Sequence, residues 1–352
     1  NNMLRHITGD QSATYYPEAE LMLMDRGFGT DAKAYRLVWK VNVYAEVPIS
    51  YRDIFIDAQS GAVYHTLNRL LSDDVPGTAV TKYSGTQTIV TDSVAPGQYR
   101  LRESGRGSGI ETYDMNTGTS YTAAVDFTDA DNNWNNVNAD QDEVATDAHF
   151  GAEMTYDYYK LVHGRLSYNN LDAKLVSFVH YDVDYANAFW DGTRMTYGDG
   201  DNSYSPFTSL DVCAHEVTHG VTQYSANLVY QNEPGAINEA FSDIFGTAVE
   251  FYALDSLGDW FIGEDFDIAG DGFRNMADPN SDQLPDTYLG QYWYSGTFDY
   301  GGVHTNCGVG AYWFYLLSEG GNGTNDLGNF YQVNGIGIDS AEIGRASCRE
   351  RV

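Results

Sequence analysis

The first part of the chain alternates apolar and polar positions, as half-buried β-strands do. The alternation is clearest in residues 35–66, where YRLVWKVNVYAEV is followed by IFIDAQSGAVYHT, two short runs around a Ser-Gly turn. Strand-like runs continue in TKYSGTQTIVTDS, QYRLRES and GIETYDMNTG. Between these two groups, LSDDVPGTAV (residues 71–80) interrupts the pattern with Asp, Pro and Gly, which predicts a linker.

From residue 147 the spacing of apolar positions changes to that of a helix. DAHFGAEMTYDYYKLVHG has apolar or aromatic residues at helical spacing, and the next runs, SFVHYDVDY and AFWDGTRMTYGDGD, return to strand and turn. Beyond Thr208 the pattern is mostly helical, with long helices predicted over 209–225 and 235–254. A β-rich half followed by a helix-rich half predicts an α+β fold rather than a doubly wound sheet.

The overall charge narrows the range of partners. The 352 residues include 19 Lys and Arg against 50 Asp and Glu, a net charge of −31. Such a surface repels phosphate backbones and anionic lipid heads, so nucleic-acid and membrane-surface partners are not expected. No apolar run approaches the roughly 20 residues of a membrane-spanning helix. Three cysteines are too few for a disulfide framework.

The two ends of the sequence have unusual features. The chain opens NNMLRHITGD, with neither an initiator Met nor a signal peptide, which leaves secretion open if the true N-terminus is missing. The last ten residues, IGRASCRERV (343–352), read as the in-frame translation of a common sequencing adapter; a natural basic tail is the alternative. We leave this segment, with Cys348, out of the fold prediction.

The HEVTH run provides the first candidate chemistry. His215 and His219 are four residues apart, so on a helix they share one face and can chelate a single metal ion. Glu216 lies beside that face, where it can take a proton from a metal-activated water. DVCAHEVTHGVTQ is apolar at helical spacing, with Ser209 or Asp211 available as an N-cap. A five-residue motif can arise by chance, so the metal site is a hypothesis, and it requires a third ligand elsewhere in the chain.

The next predicted helix offers that ligand. PGAINEAFSDIFG opens with Pro234 and Gly235 and contains Glu239, and Asp243 follows one turn later on the same face. Asp243 is therefore placed to hold a ligand histidine by its other ring nitrogen. Both acids could instead be ordinary solvated helix residues. Their neighbours are Ala, Ile, Phe and Gly, however, and an unpaired carboxylate is costly in such surroundings.

Together these motifs resemble the thermolysin family of secreted zinc metalloendopeptidases. The similarity runs from about Thr78 to Asp339 and also rests on YDYYK, NAFWDGTRMTYGDGD, GDGFRNMADP and GGVHTNCG. It implies a β-rich lobe and a mainly helical lobe with a zinc cleft between them. The expected divisions are 1–73 as the end of a propeptide, 74–78 as a processing linker, 79–222 as the β-rich lobe ending in the HEVTH helix, and 223–342 as a truncated helical lobe.

The resemblance also assigns roles to individual residues. It implies one catalytic zinc on His215, His219 and Glu239, with Glu216 as general base. It also implies that Tyr230 and His304 donate hydrogen bonds to the oxyanion. The residues expected to bind the substrate main chain are Asn187, Ala188 and Arg274. Asn238 is expected to hydrogen-bond a ligand histidine. Six apolar residues either line a pocket for the residue after the scissile bond or belong to the core: Tyr204, Phe207, Val212, Ile262, Phe266 and Phe273.

Calcium is the second metal that the resemblance implies. The main site matches Asp211, Glu250, Asp259 and Glu264, with Asp265 adjacent. Phe261 stands where a second, neighbouring ion would need a shared glutamate, so one ion rather than a pair is expected there. Residues 129–133, DADNN, resemble a weaker site around Asp129 and Asp131, for which an Asx-rich turn is the alternative.

The resulting expectation is a monomeric, secreted zinc endopeptidase that cleaves peptide bonds before bulky apolar residues. Its own propeptide is expected to act as folding assistant and inhibitor. One alternative is an inactive metal-binding adhesion module on the same fold, which would be expected to lack Glu216 or His304. Another is a zinc aminopeptidase, which should carry groups that grip a free α-amine, and no such motif is evident.

Overall fold

The structure divides into two compact units, Asn1–Asp73 and Asp74–Val352. It is a computed structural model, and it describes residues 19–25, 35–46, 49–68, 73–135, 142–270 and 272–342. The adapter-like segment 343–352 lies outside the described residues.

The first unit contains a four-stranded antiparallel sheet. Its strands follow chain order: β1 Ala19–Asp25, β2 Tyr35–Glu46, β3 Ile49–Asp57 and β4 Val63–Asn68. Met24, Val38 and Phe55 form a small buried cluster on one face. The predicted Ser-Gly turn joins β3 to β4, where Gly61 has a φ of 73° that suits glycine.

The second unit begins with a strand where the sequence predicted a linker. Strand β5, Asp73–Val80, contains all of residues 74–78. The Pro76 carbonyl accepts a hydrogen bond from Asn132 Nδ2 at 3.1 Å. Gly77 is required because a Cβ there would come within 2.4 Å of the Asn132 side chain. Pro and Gly therefore lie within a strand instead of ending it, and the strand begins at the boundary between the two compact units.

Two further sheets complete the β-rich part of this unit. One has the order β11-β7-β6-β5-β12, where β6 is Thr86–Ala95, β7 Gln98–Arg100, β11 Thr128–Asp129 and β12 Asn133–Trp134. The other has the order β10-β9-β13-β15-β14, with β8 paired to β9. Its strands are β8 Arg102–Glu103, β9 Ile110–Asp114, β10 Val125–Asp126, β13 Leu175–Val179, β14 Ala188–Trp190 and β15 Met195–Tyr197.

Helices dominate the rest of the unit. They are α1 Asp142–His163, α2 Leu210–Gln223, α3 Asn232–Leu254, α4 Asp299–Asn306 and α5 Gly308–Glu319. Short 3-10 turns occupy Tyr121–Ala123, Asp255–Leu257 and Pro279–Asp282. Two small two-stranded sheets complete the unit. One pairs β16 Phe261–Ile262 with β17 Arg274–Asn275, and the other pairs β18 Gly320–Thr324 with β19 Phe330–Asn334. The α+β prediction is confirmed. Among the described helices, none has the length and apolar character needed to cross a bilayer.

Helices α2 and α3 differ from the predicted spans at their ends. Helix α2 is two residues shorter at its C-terminal end, and Ser209 occupies its N-cap position without a capping side-chain bond. Instead, the Ser209 hydroxyl donates to Asp211. Helix α3 begins at Asn232 rather than Gly235, so Pro234 falls in its first turn, where a missing N–H costs nothing.

These two helices approach each other closely. A Cβ on Gly246 of α3 would lie 2.6 Å from the backbone oxygen of Asp211 on α2, so only glycine fits. Val217 and Val221 of α2 and Ile244 of α3 belong to the same buried cluster. The contact brings the HEVTH motif against the helix that carries Glu239.

Candidate metal centre and active site

Three side chains converge where α2 faces α3. His215 Nε2 and His219 Nε2 are 3.0 Å apart, and each lies 3.4 Å from a carboxylate oxygen of Glu239. Glu239 is fully buried, and its Oε2 has no hydrogen-bond partner among the described residues. Two imidazole nitrogens and a carboxylate directed at one point form a ligand set that zinc takes in catalytic sites. The residues therefore fit a zinc ion.

The second ring nitrogen of each candidate histidine ligand lies close to a polar side chain. His215 Nδ1 lies 3.0 Å from Asp243 Oδ1, and His219 Nδ1 lies 3.0 Å from Asn238 Oδ1. Such partners fix the orientation of a metal-binding imidazole and increase its basicity. The structure thus places Asp243 beside His215 and Asn238 beside His219.

The electrostatics of the cluster favour a cation. Burial lowers the pKa of His215, but the carboxylates of Asp243 and Glu239 outweigh it and raise that pKa to about 10. Burial likewise opposes ionisation of Glu239, yet the charges of His219 and its neighbours keep the pKa of Glu239 well below its usual range. The carboxylates of Asp243 and Glu239 that raise the pKa of His215 would also attract a divalent metal ion.

Glu216 is a buried acid on the wall of the same cleft. Burial raises its pKa above the usual range, while His215 and His219 act in the opposite direction. An elevated pKa brings a carboxylate closer to the value that suits a general base at neutral pH.

Tyr230 and His304 lie beside Glu239. The Tyr230 hydroxyl donates to Glu239 Oε1 and lies 3.2 Å from His304 Nε2. About half of the His304 side chain is exposed, and both residues line the cleft. Their polar atoms can therefore reach a substrate oxygen near the candidate ligands.

Asp299 is a site residue that the sequence reasoning missed. Its Oδ1 lies 2.7 Å from His304 Nδ1, and its Oδ2 accepts the His304 backbone N–H at 2.9 Å. This double contact orients the imidazole toward the cleft. Residues five apart do not share a face of a regular helix or strand, so the spacing of Asp299 and His304 does not predict their contact. The only signal in the sequence was an acidic residue close to the GGVH motif.

Arg274 forms a paired contact with Asp243. The guanidinium Nε donates to Asp243 Oδ2 at 2.8 Å, and a second nitrogen donates to Oδ1 at 2.5 Å. Asp243 therefore joins a candidate zinc ligand to a residue expected to bind the substrate main chain.

The cleft is a cavity of about 740 Å³ between the β-rich and helical parts. Asn187 and Ala188 from β14 line one wall, and Arg274 lines another. Four of the six apolar residues also line it: Phe207, Val212, Ile262 and Phe273. The other two, Tyr204 and Phe266, are not among its lining residues. They pack behind it, with the Tyr204 ring 4.9 Å from Phe273 and the Phe266 ring 4.3 Å from Phe207.

A second acidic cluster occupies the other ends of α2 and α3. Glu250, Asp259 and Glu264 bring carboxylate oxygens within 4.8 Å of one another. Asp211 does not belong to that tight group; it accepts hydrogen bonds from the Ser209 hydroxyl and the Gly263 N–H. Burial, followed by the charge of Asp211, raises the pKa values of Glu250 and Glu264. Calcium would relieve this concentration of negative charge.

The possible weaker site at Asp129 and Asp131 has the contacts of a turn. Asp129 Oδ1 accepts the Asp131 N–H at 2.9 Å, and Asp131 Oδ1 accepts the Asn133 N–H at 3.0 Å. These are the side-chain-to-backbone bonds of an Asx turn. The turn interpretation therefore accounts for these contacts without an ion.

Comparison with known proteins identifies the family. Residues 76–223 match the thermolysin metallopeptidase catalytic domain, and residues 226–343 match the thermolysin metallopeptidase alpha-helical domain. The class defined by the fold and site is that of metallopeptidases. The chain belongs to the thermolysin family.

Individual relatives agree with this assignment. The chain is 44% identical over 330 residues to the thermostable neutral protease NprT of Geobacillus stearothermophilus, covering 89% of this chain and 58% of that protein. It is 43% identical to a thermolysin of Alicyclobacillus acidocaldarius, covering 92% and 60%. Among solved structures, the precursor of protealysin from Serratia proteamaculans matches with a TM-score of 0.51 and 32% identity, covering 59% of this chain and 67% of that one. The chain spans about 60% of the length of these curated relatives.

Proposed function

We propose that this protein is a zinc-dependent endopeptidase. The observation that carries the proposal is the convergence of His215, His219 and Glu239 on one point, with Glu216 beside them on an open cleft. The names of the relatives, neutral protease and thermolysin, support the same activity.

A bound zinc ion would polarise the substrate carbonyl and make water more acidic. Glu216 would accept a proton from the attacking water and pass it to the departing amine. Tyr230 and His304 would donate hydrogen bonds to the oxygen that gains negative charge, with Asp299 holding His304 in place. Arg274, Asn187 and Ala188 would hold the substrate main chain along the cleft.

The apolar part of the cleft supports a preference for bulky apolar residues after the scissile bond. Phe207, Val212, Ile262 and Phe273 line it, and the rings of Tyr204 and Phe266 pack against them from behind. Burying a large apolar side chain against such a surface contributes about 1.5–3 kcal/mol.

The proposal is tested with N-terminally blocked, internally quenched peptides and the zinc-loaded chain. We expect cleavage before Leu or Phe, its loss on treatment with a zinc chelator, and its return when zinc is added back. Absence of cleavage at full zinc occupancy would favour an inactive metal-binding module. Cleavage only of peptides with a free α-amine would instead indicate an aminopeptidase.

We also propose that one calcium ion binds at the cluster of Glu250, Asp259 and Glu264 near Asp211. Phe261 can offer an ion only its backbone carbonyl, which leaves a second, adjacent ion short of negative charge.

Calcium chelation is expected to lower the melting temperature, because an ion at about a thousandfold excess over its Kd contributes about 4 kcal/mol of stability. Glu250→Gln should reduce the bound calcium by one ion per chain, measured by metal analysis, whereas Glu233→Gln, at an exposed acid bonded to the Tyr288 hydroxyl, serves as a control outside the cluster. A loss of two ions from the Glu250 variant would show that the site holds a pair.

We propose that residues 1–73 are the end of a propeptide that assists folding and inhibits the enzyme. The enzyme itself is proposed to be monomeric and secreted. The boundary between the two compact units after Asp73 supports the division. If the intact chain is cleaved at that boundary, peptidase activity should rise when the smaller piece is removed and fall when it is added back. Activity that is equal in all three samples would contradict the inhibitory role.

A further inference from the structure

Tyr300 has an unusual backbone conformation at the edge of the cleft. It lies in a run of four residues with positive φ: Asp299 at 52°, Tyr300 at 50°, Gly301 at 93° and Gly302 at 78°. Glycine adopts this region freely, but a bulky aromatic residue does so only at an energetic cost. Such strain is typical of positions where a side chain must point in one direction.

The neighbours of Tyr300 hold this conformation in place. Asp299 is fixed by its two contacts with His304. A Cβ at Gly301 would lie 2.2 Å from Asn232 Oδ1, and one at Gly302 would lie 2.6 Å from the Tyr294 ring, so the chain passes through a space that only glycine fits. The backbone on both sides of Tyr300 is therefore constrained.

The Tyr300 side chain faces the cleft and is largely exposed. It lines the cavity together with the candidate zinc ligands, and 65% of the residue is exposed. Its ring packs edge-on against Tyr230, with centroids 5.6 Å apart. A large aromatic surface is thus open next to the two groups expected to bind the reacting oxygen.

Tyr300 lines the same cavity as the apolar pocket, but among the described residues its ring does not contact Phe207 or Phe273. Phe207 and Phe273 have ring contacts with each other and with aromatic residues behind them, whereas Tyr300 has its ring contact with Tyr230. A substrate side chain that fills the pocket would therefore leave Tyr300 free for a different residue of the peptide.

We propose that Tyr300 is a specificity-determining residue that packs against the side chain before the scissile bond and favours an aromatic residue there. The inference rests on the proposed endopeptidase function. Edge-on and offset aromatic pairs are favourable beyond the apolar area they bury, so the preference for Phe over Ala at this substrate position should be about 3- to 10-fold larger with Tyr300 than without it.

The experiment compares two peptide series with the zinc- and calcium-loaded chain. One series varies the residue before the scissile bond between Phe and Ala, and the other varies the residue after it between Leu and Ala. The ratio of kcat/KM within each series is measured for the wild type and for Tyr300→Phe, Tyr300→Ala and Tyr300→Asn. Phe298→Ala is the matched control, because Phe298 is 80% exposed two residues away and does not line the cavity.

The expected result is that Tyr300→Ala and Tyr300→Asn lose the preference for Phe before the bond, mainly through KM, while Tyr300→Phe and Phe298→Ala keep it. Asn tolerates positive φ better than Ala, so equal behaviour of the Asn and Ala variants assigns the effect to the ring rather than to strain. The second series and the pH profile should be unchanged.

Two results would overturn the inference while leaving the endopeptidase function intact. One is an unchanged preference in Tyr300→Ala. The other is an equal loss for all peptides with an altered pH profile, which would show that Tyr300 acts through His304. If the wild type cleaves none of the peptides, the proposed function fails and the role of Tyr300 fails with it.

Discussion

Replacing Glu216 with glutamine is expected to lower kcat for peptide hydrolysis by about 10²- to 10⁴-fold, the range typical of a lost general base. Glutamine has nearly the same shape but cannot accept a proton from water. Zinc should stay bound, because His215, His219 and Glu239 supply the converging atoms without Glu216.

The measurement combines kinetics with metal analysis of the purified variant. Glu233→Gln is the matched control, since Glu233 lies on α3, is exposed and accepts a hydrogen bond from the Tyr288 hydroxyl. If zinc content falls in parallel with activity in the Glu216 variant, Glu216 is a ligand and its role as base is wrong.

The second large effect is expected from Asp243→Asn. Asp243 is fully buried and contacts both His215 and Arg274. Loss of an outer partner of a metal-binding histidine typically weakens metal affinity by about 10- to 100-fold. Removal of one partner from a buried ion pair costs about 3–5 kcal/mol, because Arg274 would keep a buried charge without its counter-ion.

Zinc affinity is measured by competition with a chromogenic chelator, and stability by thermal unfolding of the zinc-free and zinc-loaded forms. The same Glu233→Gln control applies. Unchanged zinc affinity combined with lower stability would mean that Asp243 serves Arg274 alone. Unchanged values for both would contradict the geometry around His215.

Much of the candidate centre was predictable because it depends on local helix geometry. His215 and His219 share a helical face, and Glu239 and Asp243 repeat the same four-residue spacing on the next helix. The α+β fold was predictable for a related reason, since the change in apolar period divides the chain into a β-rich part and a helical part.

Other features depend on contacts that no periodic pattern records. Asp299 reaches His304 only because four residues in succession adopt positive φ. Strand β5 has glycine at position 77 because the side chain of the distant Asn132 lies against it. The sequence also could not tell that Phe273 lines the cleft whereas Phe266 lies behind it, since both are apolar residues near the same motifs.

The close approach at Gly246 makes α2 and α3 a shared support for both candidate metal centres. Helix α2 carries Asp211 and His215, and α3 carries Glu239 and Glu250, eleven residues or about 16 Å apart along the helix axis. A side chain at position 246 would separate the helices between these points. A substitution at Gly246 would therefore disturb both the site that contains histidine nitrogens and the site made only of carboxylate oxygens, although it removes no ligand from either.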